Sequence, residues 1–228
     1  MKRFRPAAIL LIVLALTAAY AGAQVVPPGA REFGIARLKY GGGGDWYEDR
    51  TSLKNLMRAA QDRLGIRIAG DQEAIVEPGS AALFQFPMVF ACGHGNIKFT
   101  AAEVANLRRY LTTGGFLWID DDFGIDASFR REAQRLFPEA RLIELPFSHP
   151  IFHGHYDFPG GLPKIHEHSG GPPKAFGIVH DGRLAVLYTF DTDLGDGLED
   201  EEVHHDPPAA RESAVRMALN IVHYALTH

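Results

Sequence analysis

The sequence carries one cysteine, Cys92, so no internal disulfide can form whatever the redox state of its surroundings. It also lacks the loop patterns of the common nucleotide and hydrolase sites. The run Gly41-Gly42-Gly43-Gly44 is not completed by Gly-Lys-Ser/Thr, no Gly-x-Gly-x-x-Gly occurs, and no Gly-x-Ser-x-Gly elbow is present. A Walker-type phosphate cradle, a dinucleotide-binding turn and a serine-hydrolase elbow are therefore not expected. Basic residues are the minority charge, with 23 Lys and Arg against 28 Asp and Glu. Nucleic acid is not an expected partner, because binding it takes a basic surface that displaces counterions. No internal repeat is found. At 228 residues, 46% hydrophobic and 22% charged, the chain suits one sizeable core rather than two.

Lys2, Arg3 and Arg5 precede an apolar run from Ala7 to Ala19, and Ala21-Gly22-Ala23 follow. This layout predicts a secretory signal peptide over 1–23, cleaved after Ala23, and a single α/β domain over 24–228. An uncleaved anchor is the alternative, since Pro6 to Ala23 approaches the shortest stretch that spans a bilayer. Cleavage removes three of the 23 basic residues and no acidic one, leaving 20 against 28 and a net charge of −8. The expected location is exported, periplasmic or secreted.

Beyond the leader, strand and helix signals alternate. Phe33 to Tyr40 reads as a strand running into the glycine loop. Leu53, Leu56, Met57, Ala60 and Leu64 recur at helical spacing, with Thr51 or Ser52 to cap and Gly65 to stop. A weaker strand is expected near Ile66–Ile68 or Ala74–Val76. Pro87 to Ala91 and Phe116 to Ile119 are short apolar runs without alternation, as for strands buried on both faces. Between them, Thr100 and Glu103 make a capping box for a helix bearing Val104, Leu107 and Leu111. A further helix carries Phe129, Ala133, Leu136 and Phe137, and Arg141 to Leu145 reads as a strand. Pro146 to Ala175 has no period and predicts a long loop of the kind that serves as a lid. Phe176–His180 and Arg183–Phe190 flank Asp181-Gly182 as a hairpin, and Pro207-Pro208 opens a last helix. The pattern predicts a doubly wound, mainly parallel sheet with helices on both faces, whose ligand crevice lies at the carboxyl ends of the strands.

Four polar groups follow predicted strands and are expected on that edge: Asp45 with Trp46, His94, the triplet Asp120-Asp121-Asp122, and His149 with His153. Three consecutive carboxylates repel one another, so one that points inward needs a cation or hydrogen-bond donors. Capping of the next helix by Asp122 or Asp126 is the plainer alternative. His94 between two glycines, together with Asp121, His149 and His153, supplies ligand types suited to a divalent metal. Cys92 ends a buried strand and reads as a small hydrophobe rather than a nucleophile. Asp191 to Glu202 resembles a calcium loop with its glycine one place late, and reads more simply as an acidic solvated loop with His204 and His205 on the surface.

Several motifs, in order, resemble the bacterial domain-of-unknown-function family 4159: Tyr40 to Tyr47, Gly93-His94-Gly95, Leu107 to Leu111 with Gly114 to Leu117, Asp120 to Asp122, Ser128 to Glu132, and His149 to Phe152. The resemblance covers nearly the whole mature chain. It implies a flavodoxin-like sheet similar to class I glutamine amidotransferases and trehalose-utilisation domains. In those relatives the comparable strand leads to a catalytic cysteine. Here it leads to Asp120, so amidotransferase activity is not expected. Family members fused to membrane-bound regions fit an envelope location.

The leading functional expectation is an exported envelope domain that binds a polar small molecule or glycan, through Trp46, Asp45, His94, the triplet and His149. A divalent-metal hydrolase using His94, the triplet and His149 or His153 is the alternative. A scaffold for a membrane-associated protein assembly is a third.

Overall fold

A computed structural model describes residues 32–70, 73–166 and 168–228. The expected leader over 1–23 lies outside the described residues. In chain order the elements are β1 (Ile35–Leu38), α1 (Ser52–Leu64), β2 (Ala74–Val76), β3 (Met88–Ala91), α2 (Ala101–Thr112), β4 (Phe116–Asp120) and α3 (Asp126–Leu136). There follow β5 (Ile143–Glu144), β6 (Lys174–His180), β7 (Arg183–Phe190), α4 (Leu194–Leu198), α5 (Glu201–His204) and α6 (Pro208–Thr227). No helix among the described residues is long and apolar enough to cross a membrane.

The continuous apolar runs become the centre of the sheet. Every residue of β1, β3 and β4 is buried, as it must be in strands covered on both faces. The protein is a mixed α/β fold with a seven-stranded sheet in the order β2-β1-β3-β4-β7-β6-β5. Five of these strands run parallel, from β2 through to β7, and the remaining two form an antiparallel edge. The sheet is partly antiparallel, and the antiparallel edge has a local cause in the expected hairpin. Asp181 and Gly182 adopt positive φ values of 48° and 78°, the geometry of a tight hairpin, and this reverses β6 onto β7.

One core cluster joins Phe90 and Trp118 of the sheet to Leu53, Leu56 and Met57 of α1 and to Met217 and Leu219 of α6. The other joins Val89, Leu117 and Ile119 to Leu107 and Leu111 of α2 and to Phe129 and Leu136 of α3. Alternate residues of one strand therefore feed opposite cores, and full burial of each large side chain is worth about 1.5–3 kcal/mol. Helix α1 ends where Gly65 turns left-handed at φ 67°. Its expected cap differs: the Thr51 hydroxyl makes no cap bond and instead meets Glu199 and the Asp200 amide.

The capping box of α2 is present in full. Thr100 Oγ1 accepts from the Glu103 amide at 3.2 Å, and the Thr100 amide donates to Glu103 Oε2 at 2.7 Å. Replacing Thr100 with Ala should lower the unfolding free energy by about 1 kcal/mol in urea titrations, with an unchanged slope. An effect below about 0.3 kcal/mol would show that the box is incidental.

Candidate functional site

The site begins where β4 leaves the sheet. Its last residue, Asp120, and the two that follow are all buried. Side chains alternate along an extended chain, so Asp120 and Asp122 turn to one side and Asp121 to the other. Asp121 is fully engaged: Oδ1 accepts from the Ile125 amide ahead of α3 at 3.1 Å and Oδ2 from the Tyr188 hydroxyl at 2.9 Å. Asp120 is held by the Thr189 hydroxyl of β7 and by the Gly195 amide at 2.6 Å. Asp122 is different. Neither of its oxygens has a hydrogen-bond partner among the described residues.

The second wall is the segment after β7, which had read as an acidic solvated loop. It is corrected: Asp191, Asp193 and Glu199 are buried, and α4 and α5 form within it. Asp191 and Asp193 both have left-handed φ, near 57° and 56°, a conformation Asp tolerates better than most residues. The calcium-loop alternative fails with it, because Asp191 turns away to Lys164 Nζ at 2.8 Å and Glu202 is exposed. Asp193 Oδ2 meets His168 Nε2, while Oδ1 is buried without a partner among the described residues. Gly195 lets this segment close on the floor, since a Cβ there would stand 1.9 Å from Asp49 Oδ2.

Three histidines complete the rim. His166 and His168 come from the long loop expected to be a lid. His166 Nε2 lies 2.8 Å from Asp206 Oδ1, and its Nδ1 lies 2.8 Å from Asp196 Oδ2 and 3.6 Å from Asp193 Oδ2. His204, expected on the surface, has its Nε2 3.0 Å from Glu199 and 3.3 Å from Asp196. Ligand-type atoms of His166, His168 and Asp193 lie within 4.8 Å of one another, as do those of His166, Asp196 and His204.

Burial dominates the electrostatics. It pushes Asp120 up to about 7, against the opposing hydrogen bonds from Thr189 and Gly195. It pushes Asp193 up to about 9, with the charges of Asp120 and Asp196 adding to it. Asp49 and Asp122 are driven well above the carboxylate range, first by burial and then by neighbouring carboxylates. Burial also raises Cys92, as do the charges of Asp49 and Asp122, so it stays a thiol. Arg37, buried on β1, is committed to Glu73 and to the carbonyls of Glu48 and Asp49. It therefore fixes the backbone of Asp49, and its charge only partly offsets the burial that raises the Asp49 carboxyl.

The residues expected from the sequence are only partly brought together. Asp45 and His94 pair on the same rim as the triplet, with His94 Nδ1 3.1 Å from Asp45 Oδ2, and His94 bridges to Phe123. Trp46 instead lines a separate pocket of about 310 Å³ with Arg37, Tyr47, Arg50 and Glu73. His149 does not join the rim. Its ring lies 5.5 Å from that of Tyr224, which is 6.1 Å from Phe116 at the opposite end of β4 from Asp120. A strand of that length separates its ends by about 13 Å. The physical reason is that the chain turns back after β5 and docks Ile151 and Phe152 in the core beside α6. His153 is also withdrawn, because both ring nitrogens are engaged, with Asp157 and with the Phe147 carbonyl at 2.7 Å. Burial and nearby His228 lower His149, whereas the bond to Asp157 raises His153.

The chain belongs to the family described as Domain of unknown function (DUF4159), whose sequence profile matches residues 34–226. No curated protein matches it.

Carboxyls raised above their unfolded values favour the folded state only while protonated. That stability is present below about pH 4 and is lost as pH rises through about 7 for Asp120 and about 9 for Asp193. The chelator-treated protein should therefore melt at higher temperature at pH 5.5 than at pH 9, measured by calorimetry. A melting temperature that rises over this interval would contradict the assignment.

Proposed function

We propose that this rim is a divalent-metal centre that activates water for hydrolysis of a polar small molecule, in an exported envelope domain. One observation carries the reading. His166 is held through Nε2 by Asp206, and its Nδ1 lies between Asp196 and the same Asp193 carboxylate that His168 contacts. A carboxylate that fixes the far nitrogen of a metal-binding imidazole is the usual support of such a ligand. Two imidazoles and a carboxylate with an open position suit zinc or iron, and a bound ion lowers the pKa of coordinated water toward neutrality. His166, His168 and Asp193 are the ligands in this proposal. Asp196 stands beside them to accept the proton, and Asp206 fixes the tautomer of His166. This set replaces the earlier one built on His94, Asp121, His149 and His153.

A pocket of about 200 Å³ adjoins the centre and shares His168 with it; Phe123, Phe190, Asp121, Asp126 and Asp191 also line it. Aromatic faces beside carboxylates favour a hydroxyl-rich ligand such as a sugar, which we propose as the bound molecule. Binding alone, without turnover, is the second reading that this pocket favours. The strand order β2-β1-β3-β4 supports a flavodoxin-like ancestry for this half of the sheet. Glutamine amidotransfer is not part of the proposal, because Asp120 stands where the resemblance would require a cysteine.

Untagged protein soaked in Zn²⁺ and dialysed should retain the metal by elemental analysis, and His168→Ala should weaken Zn²⁺ binding at least tenfold. Retention of less than about a tenth of an equivalent would remove the metal reading. Saturable sugar binding that survives chelation and is lost in Phe123→Ala would then favour the binding-only reading.

A further inference from the structure

Beside the histidines lies a second set of oxygen atoms, of which only Asp196 also serves the outer centre, the reading on which this inference rests. Asp49 enters from the loop after the glycine run, and Asp122 from the loop after β4, each 2% exposed. Neither oxygen of Asp122, nor Oδ2 of Asp49, has a hydrogen-bond partner among the described residues. One oxygen of each lies within 4.8 Å of the other, and Asp196 brings an oxygen equally close to Asp49. Two neighbouring groups are already committed. Glu199 accepts from the Thr51 amide at 3.2 Å, and Cys92 Sγ is 2.9 Å from Arg37 Nη1.

Buried anionic oxygens that face one another without donors repel strongly, and a cation among them turns that repulsion into attraction. The oxygen-only set selects a hard ion rather than zinc. Oxygens that share a calcium-sized ion at about 2.4 Å stand no more than about 4.8 Å apart, a limit that the Asp49–Asp122 and Asp49–Asp196 oxygens meet. We propose that the unpartnered carboxylates of Asp49 and Asp122, with Asp196 beside Asp49, form an inner binding site for a hard divalent cation of the Mg²⁺, Mn²⁺ or Ca²⁺ type, distinct from the outer histidine centre. Asp196 lies between the two, with Oδ2 2.8 Å from His166 Nδ1. Filling the inner site orients that carboxylate toward the outer one.

The full chain, stripped of metal, would be titrated with Mn²⁺ by calorimetry after the outer centre has been loaded with Zn²⁺. The proposal expects one further equivalent of Mn²⁺, weakened at least tenfold in Asp122→Asn and Asp49→Asn, with Zn²⁺ retention unchanged. His168→Ala should release Zn²⁺ and leave the Mn²⁺ equivalent in place. Far-UV circular dichroism establishes that each variant is folded, and the two Asn variants back each other if one is not. Absence of Mn²⁺ uptake by wild type, or uptake untouched by both Asn variants, overturns the inner site while leaving the outer centre standing. Loss of Zn²⁺ binding alone overturns the outer centre and not this one.

Discussion

The structure turns on the burial of a group of carboxylates, several of whose oxygens have no hydrogen-bond partner among the described residues. Asp49, Asp120, Asp122 and Asp193 are nearly or wholly withdrawn from solvent around the end of β4 and the start of α4. Moving an ionised carboxylate out of water costs several kcal/mol even after relaxation, so each such group must be protonated, bonded or paired with a cation. The fold meets that demand unevenly. Asp120 and Asp121 receive hydroxyl and amide donors. Both oxygens of Asp122, and one each of Asp49, Asp193 and Asp206, receive none among the described residues. Perturbed carboxyls gathered in a cleft are a physical pointer to a functional site.

The scaffold around this cluster is arranged to hold it open. Arg37 could have neutralised it, but its guanidinium is turned to Glu73 and to two backbone carbonyls. Lys164 is taken by Asp191 at the margin. Trp118 Nε1 donates to Thr189 Oγ1 at 2.9 Å, which in turn holds Asp120, so a core indole orients the floor of the rim. The strand end thus fixes Asp120, while Asp49, Asp122, Asp193, His166 and His168 arrive on the segments between elements, the usual division between scaffold and site.

Much of the fold was legible because it rests on local signals. The apolar runs at Pro87–Ala91 and Phe116–Ile119, the Thr100–Glu103 box and the Asp181-Gly182 turn each declare their own geometry. The site was legible only where it follows a strand directly, as at Asp45, His94 and the triplet. His149 and His153 were misread because a loop's return path is set by long-range packing of Ile151 and Phe152 in the core beside α6, which no periodicity reports. His166 and His168 escape the sequence reading for the converse reason, and Asp193 and Asp196 enter it only through the calcium-loop alternative. They sit in segments that look polar and irregular, and only the fold closes those segments over one another. The His-x-His spacing at His166 and His168 is a signal that adds to the acidic run from Asp191.

Anomalous diffraction from crystals soaked in Mn²⁺ tests most directly whether the buried carboxylates exist to hold cations. The account predicts a peak among His166, His168 and Asp193 or among Asp49, Asp122 and Asp196, at about 2.0–2.4 Å from carboxylate oxygen. Crystals that show no peak at the rim while these side chains stay buried would contradict it, and would leave the cluster to be explained by protonation alone.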